Sequence, residues 1–325
     1  MQRNKEIEQD KGAMTSAYLA LLFVVFIWGC SPTVYNWVFS NGYASPLVFT
    51  ASISLVSALA LILLSAKHFG KLHKNYFLVA IPTGLFNSTA SLLQKIGLGM
   101  GASPTMYAFL ENLSCVIVPV LLFFFIKKKP SFLTVTASII CLLSAFVLSG
   151  MRFSFGVGEI LCALSGILYG VNIAATGAFA KDLFAPLYVM IQMCVQTVLA
   201  FIMAFSFNAI SVGGKAMETL VFTWDVMPIL CVVGLALVSN TLCWLVRTNS
   251  LKKIDASIVA VIMPFSAVVT GIISVAMGTD VLSWNLVLGA ILGVASAILS
   301  GLSDTLTEKW KAYKQKKERI QPPEK

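Results

Sequence analysis

The sequence predicts an all-α polytopic membrane protein, with ten transmembrane helices arranged as two inverted five-helix repeats. Three observations predict it. Of 325 residues, 58% are hydrophobic and 11% charged, and the mean hydropathy is +0.87. A soluble domain carries about a quarter charged residues, so this chain could not clothe a water-facing surface of its size. Apolar runs near the ~20 residues that cross a hydrocarbon core recur along the whole chain. Short motifs also return after an interval close to half its length.

A mixed-charge N-tail, 1–15, opens the chain and resembles neither a cleavable signal nor an Arg-rich transit segment. The apolar runs then fall at 16–39, 45–66, 75–98, 102–126 and 131–150, and at 156–179, 185–208, 225–248, 254–278 and 282–303. They group into a first repeat, 16–150, and a second, 156–303, followed by a basic C-tail, 304–325. With the N-terminus cytoplasmic, 20 of the 23 Lys and Arg residues lie on cytoplasmic segments. Only Lys95, Arg152 and Lys215 fall on the far side. The positive-inside rule therefore predicts a multi-pass protein with both termini in the cytoplasm, and the plasma membrane is the expected location. Topology thus explains the +9 net charge without a nucleic-acid partner. The C-tail mixes seven basic residues with Trp310, Tyr313 and Ile320, suiting either a headgroup-bound helix or a solvated tail.

The repeat shows in order along the two halves. The first span reads "IWGCSPTVYNW", the sixth "LYGVNIAATGA", and Trp28-Gly29 precedes Tyr169-Gly170 by 141 residues. Pro46 opens the second span and Pro186 the seventh, 140 residues on. Ala102-Ser103 opens the fourth and Ala256-Ser257 the ninth, 154 apart. Both halves close on Leu-Ser-Gly, at Leu148 and Leu299, 151 apart. Five is odd, so the second half enters the membrane upside down. Inverted repeats of this kind build the alternating conformations of many secondary transporters around a midplane site.

These features resemble the drug/metabolite transporter superfamily, specifically its EamA-type members, over residues 16–303. The resemblance rests on Trp28-Gly29, the "AS" pairs, Glu111 within the fourth span, and the small-residue helices that end each half. The Glu-Pro step common in such fourth and ninth spans is divided here, as Glu111-Asn112 and Met263-Pro264. The resemblance implies outward transport of a small polar metabolite, such as an amino acid, or of an amphipathic drug-like compound. It also leaves open a phosphorylated-metabolite or nucleotide-sugar exchanger, and neither monomer nor homodimer is preferred. A different class, a membrane receptor or scaffold without transport, is the remaining alternative.

Other chemistries lack their motifs. There is no P-loop, and "GLGMGASP" follows a membrane helix rather than a strand. The seven cysteines lie within spans without a CxxC, His68 and His73 share a lysine-rich loop, and no loop offers an enzyme site. The expectation is a non-enzyme without cofactor or metal.

Glu111 is the single charge in "SPTMYAFLENLSCVIVPVLLFFFI". A charge at bilayer depth costs roughly 3 kcal/mol or more. The carboxylate must therefore hold a proton, bind a cation, or bond an amide such as Asn87 or Gln94. Helical spacing puts Ser103, Tyr107, Ser114 and Cys115 on its face, and assigns Ala108, Phe109, Leu113, Val116 and Ile117 to lipid. The predicted substrate-binding set is Glu111, Tyr107, Asn112, Trp28, Tyr35, Asn87, Tyr169, Asn172, Asn240 and Trp244, with protons as the candidate coupling ion. Gln94, Gln192 and Gln196 are further lining candidates. Lys95 and Arg247 sit near span ends, where snorkelling to water is the expectation.

Overall fold

The computed structural model describes residues 2–127, 130–148, 150, 156–208, 211–212, 215–216, 219–278, 281–296, 298–299 and 302. The basic C-tail, Lys128, Lys129 and Arg152 lie outside the described residues.

The protein is a helical membrane bundle. Eight helical stretches are long and apolar enough to cross a membrane: Met14–Ser40, Pro46–Lys71, Lys74–Gly99, Pro104–Ile126, Val157–Phe179, Ala185–Phe207, Val226–Ser250 and Ala256–Ala276. Two apolar helices are shorter, Phe132–Ser144 and Trp284–Ser296. In chain order the helices are α1 (Gln2–Ser40), α2 (Pro46–Ser65), α3 (Lys74–Gly99), α4 (Pro104–Leu110), α5 (Ser114–Ile126), α6 (Phe132–Leu148), α7 (Val157–Phe179) and α8 (Ala185–Phe207). They continue with α9 (Val226–Gly234), α10 (Cys243–Ser250), α11 (Ala256–Ile262), α12 (Phe265–Ala276) and α13 (Trp284–Ser296). A two-residue ladder, Ser211–Val212 against Lys215–Ala216, decorates the long loop.

Large apolar side chains point outward: Leu19, Phe23 and Phe26 on α1, Leu59 and Leu63 on α2, Phe201 and Phe205 on α8 are all exposed. In water this surface would aggregate; against lipid it is solvated. The interior holds the polar groups instead. Hydroxyls of Thr50 and Ser54 bond carbonyls one turn back on α2, which makes them compatible with a helix in hydrocarbon. Trp224 and Trp284 are more than four-fifths exposed at span ends, as interface anchors would be. Trp37 packs against Tyr43, ring centroids 5.1 Å apart and planes tilted by 40°.

Three spans are internally broken. Between α4 and α5 the residues Glu111–Leu113 form a 3₁₀ turn. Between α11 and α12 the break falls at Met263 and Pro264, where the missing proline N–H removes a helix hydrogen bond. Between α9 and α10, Leu235–Leu242 is π-helical. Irregular backbone at depth persists only when other groups satisfy it. Ser57 Oγ donates to the Ala236 carbonyl at 3.0 Å, and Trp28 Nε1 donates to the Ser239 carbonyl at 3.1 Å.

The small-residue stripe on α7 packs against the first break. A Cβ on Gly166 would collide with the Leu110 carbonyl, and one on Gly170 would sit 2.8 Å from Ile117 Cβ. Gly97 on α3 likewise meets the backbone of Gly158. Ala108 and Phe109 are buried, 2% and 6% exposed, so their assignment to lipid is corrected. Helices α1, α3, α6, α7 and α12 all pack on α4, leaving this short helix almost no lipid-facing side.

Candidate functional site

The broken spans converge on a cavity in the interior of the bundle. Span Val226–Ser250 supplies Ser239, Asn240, Trp244 and Arg247, and α1 supplies Trp28, Ser31 and Tyr35. Tyr107, Glu111, Asn112 and Ser114 come from α4, its 3₁₀ turn and the start of α5. Gln94 and Lys95 of α3, Tyr169 and Ile173 of α7, and Met263 complete the wall.

Eight of the ten predicted site residues line it: Trp28, Tyr35, Tyr107, Glu111, Asn112, Tyr169, Asn240 and Trp244. Asn87 and Asn172 do not. Asn87 is buried within α3, and its amide makes no hydrogen bond among the described residues. Asn172 stands one layer behind the wall. Its Nδ2 donates to the Thr83 carbonyl at 2.9 Å, and its Oδ1 accepts from Arg247 Nη2 at 3.1 Å. Gln192 joins a buried network with Thr83 and Tyr188, and Gln196 donates to Ser91, so both hold helices together.

Glu111 accepts a hydrogen bond from Gln94 Nε2 at 2.9 Å. That bond satisfies one lone pair and leaves the rest of the carboxyl group in the cavity wall. Tyr107, one helical turn earlier, shares the wall with it, as the spacing of four predicts.

The expectation of snorkelling for Lys95 and Arg247 is corrected: both are buried, 7% and 2% exposed, and both line the cavity. Each lies against aromatic faces rather than reaching water. The Lys95 ammonium sits 4.8 Å from the Tyr35 ring and 6.0 Å from Tyr107, and donates to Ser91 Oγ at 3.0 Å. The Arg247 guanidinium lies 4.5 Å from the Trp244 ring and 6.0 Å from Trp28, whose own rings pack 5.2 Å apart. No described carboxylate lies within ion-pair distance of either cation. A desolvated cation–π contact contributes about 2 kcal/mol, whereas burying an ion costs several. With Glu111 ionised the cavity carries a formal charge of +1, and with it protonated, +2. Such a site is under-compensated and favours a ligand with a negative group. Two cations in otherwise nearly uncharged spans were the available sign, and their closeness to the span ends concealed it.

Residues 156–302 match the sequence model of the EamA-like transporter family. No curated protein matches the chain. A solved crystal structure superposes with a TM-score of 0.67 at 18% identity, covering 90% of this chain and 99% of the other. At that identity the likeness speaks to the fold alone. Over that second half the chain is similar to EamA-like transporters, in keeping with the resemblance read from its motifs.

Proposed function

We propose that this protein is an EamA-type secondary active transporter that exports a small zwitterionic metabolite, such as an amino acid, by alternating access. The observation that carries the reading is the cavity itself, where Glu111, Lys95 and Arg247 stand among five aromatic rings. A carboxylate can hold the substrate's ammonium and the cations its acidic group, while Trp28, Tyr35, Tyr107, Tyr169 and Trp244 receive an apolar side chain. In this reading Glu111 exchanges the ammonium for a proton, which couples flux to a pH gradient. A cationic drug-like compound suits the net positive wall poorly.

The architecture proposed is ten spans in two inverted five-helix repeats, with Phe132–Ser144 and Trp284–Ser296 completing the count. Support comes from spacing. Helices α3 and α9 start 152 residues apart, as do α4 and α11. The two helix caps agree: Ser103 Oγ accepts from Met106 N, and Asp255 Oδ1 accepts from Ser257 N, again 152 apart. This aligns Ser103 with Asp255, two residues from the motif pairing. At the same interval Glu111 meets Met263 and Lys95 meets Arg247, and all four line the cavity. With the two buried cations set aside, the remaining Lys and Arg divide 19 to 2 in favour of a cytoplasmic N-terminus.

A second reading, an exchanger of phosphorylated metabolites, is favoured by the same two cations. Purified protein in liposomes, loaded with amino acids or with sugar phosphates, distinguishes them by which labelled solute is exchanged. Exchange of neither, nor of any member of a broad metabolite panel, would leave the receptor or scaffold alternative.

A further inference from the structure

Lys95 and Arg247 sit at two separate places in the cavity. Each rests on one ring supplied by α1, Tyr35 for Lys95 and Trp28 for Arg247. Those rings are seven residues apart on one helix, about 10 Å along its axis. Their order along the bundle is settled by the loops. Just beyond the end of α1, the Tyr43 carbonyl accepts from Thr223 N at 2.7 Å, immediately before α9 begins. The Tyr35 end of α1 therefore lies beside the start of span Val226–Ser250. Arg247 lies in the last turn of that span, at the other end. The two cations thus face opposite ends of the cavity.

Both have donors to spare. Arg247 spends Nη2 on Asn172, and its buried Nε has no partner among the described residues. Lys95 spends one proton on Ser91. A planar guanidinium matches a carboxylate with two parallel hydrogen bonds, whereas an ammonium offers a point charge.

We propose that Lys95 and Arg247 are paired anion stations, one toward each mouth, and that the substrate's carboxylate passes between them while Glu111 holds its ammonium. Arg247, with its fork preset by Asn172 and Trp244, is the tighter station. Carrying the carboxylate between two fixed cations keeps the acidic group compensated at both limits of the transport cycle. The proposal rests on the transporter reading above and adds sidedness and substrate charge to it.

The test uses full-length protein inserted in one orientation into vesicles. Flux is measured from each face with three probes of one shape: L-phenylalanine, L-phenylalaninamide and 3-phenylpropionate. The wild type should carry phenylalanine best, 3-phenylpropionate more weakly, and the amide least. Lys95→Gln should raise the half-saturating phenylalanine concentration about tenfold from one face and less than twofold from the other. Arg247→Gln should do the reverse. Should either Gln variant fail to fold, Lys95→Arg and Arg247→Lys keep the charge, and each should retain the same sidedness at about threefold. Equal effects from both faces, or both variants acting at one face, would overturn the two stations. So would preference for the amide, or failure to carry any of the probes while other metabolites are moved. In these cases the transporter reading stands; it falls only if no metabolite crosses at all.

Discussion

The spans Pro104–Ile126 and Ala256–Ala276 begin alike and break alike, yet they put different chemistry at the break. Each opens with a capped turn, at Ser103 and at Asp255. Each runs for seven helical residues, then loses regular helix, and each sends the residue there into the cavity wall. In the first span that residue is Glu111, bonded to Gln94, and the backbone tightens into a 3₁₀ turn. In the second it is Met263, and Pro264 makes the break by withholding a donor. The comparison separates two things a broken helix supplies. Proline or a tight turn opens the backbone to neighbouring groups, but only a titratable side chain can exchange a proton for a substrate cation. One half keeps the bend, and the other keeps the bend with the charge.

The sharpest way to break this comparison is to ask whether the two spans enter the membrane in opposite directions. Cysteines at Met100 and Met277, placed in a cysteine-free background, should react with an impermeant thiol reagent from outside intact cells. One at Lys253 should not. The contrast should be all or none, and labelling at position 253 would overturn the inverted arrangement.

The next effect should be nearly as large. Glu111→Gln keeps size and one hydrogen bond to Gln94 but removes the charge, so pH-driven flux should fall about a hundredfold. Met263→Gln at the matching position should stay within about twofold. Wild-type-like, pH-driven flux in the Glu111→Gln protein would show that its role is structural.

A smaller effect concerns how the first break is held. Gly166 packs directly on Leu110 and Glu111, so Gly166→Ala should destabilise the protein by about 2 kcal/mol through overpacking. Gly234 has open space where a Cβ would go, and Gly234→Ala should be neutral or slightly stabilising, by up to about 1 kcal/mol. Thermal unfolding in detergent compares the two, and equal shifts would sink the packing argument.

The smallest predicted change is in the aromatic wall. Trp28→Ala and Tyr169→Ala should each weaken phenylalanine binding about tenfold. Trp284→Ala, exposed at a span end, should change it less than twofold. Equal small effects from all three would show that the rings pack helices rather than hold substrate.

Much of the cavity lining was legible because burying polar groups in lipid is costly, which makes them conspicuous. Glu111 stood out as one charge in 24 residues, and Trp28, Tyr35, Tyr107, Tyr169 and Trp244 as rings beside polar residues at span depth. What was misread follows from the same rule applied one residue at a time. Lys95 lies four residues from the end of its helix, within reach of water for a lone span, so snorkelling was the natural reading. In the bundle that path is closed by Tyr35 and Tyr107. Asn172 was grouped with the lining because it follows Tyr169-Gly170, but its amide turns toward Thr83 and Arg247. Ala108 and Phe109 read as lipid-facing because an isolated helix has an outer face, which α4 has lost to its neighbours.

By itself the sequence determined that this chain lives in a bilayer as apolar helices, and which of its few polar residues had to be accounted for. Composition and span length decide that, since transfer of a helix into hydrocarbon depends on its own side chains and its internally satisfied backbone. Only the tertiary structure decided which polar groups face the cavity and which face one another. A half-turn of helix separates those outcomes, and the packing of Gly166 on Leu110 and of Trp28 on Ser239 sets that rotation. Neither contact is local in sequence. The same packing placed Lys95 and Arg247 inside, because their distance from water depends on which helices stand between them and the membrane surface.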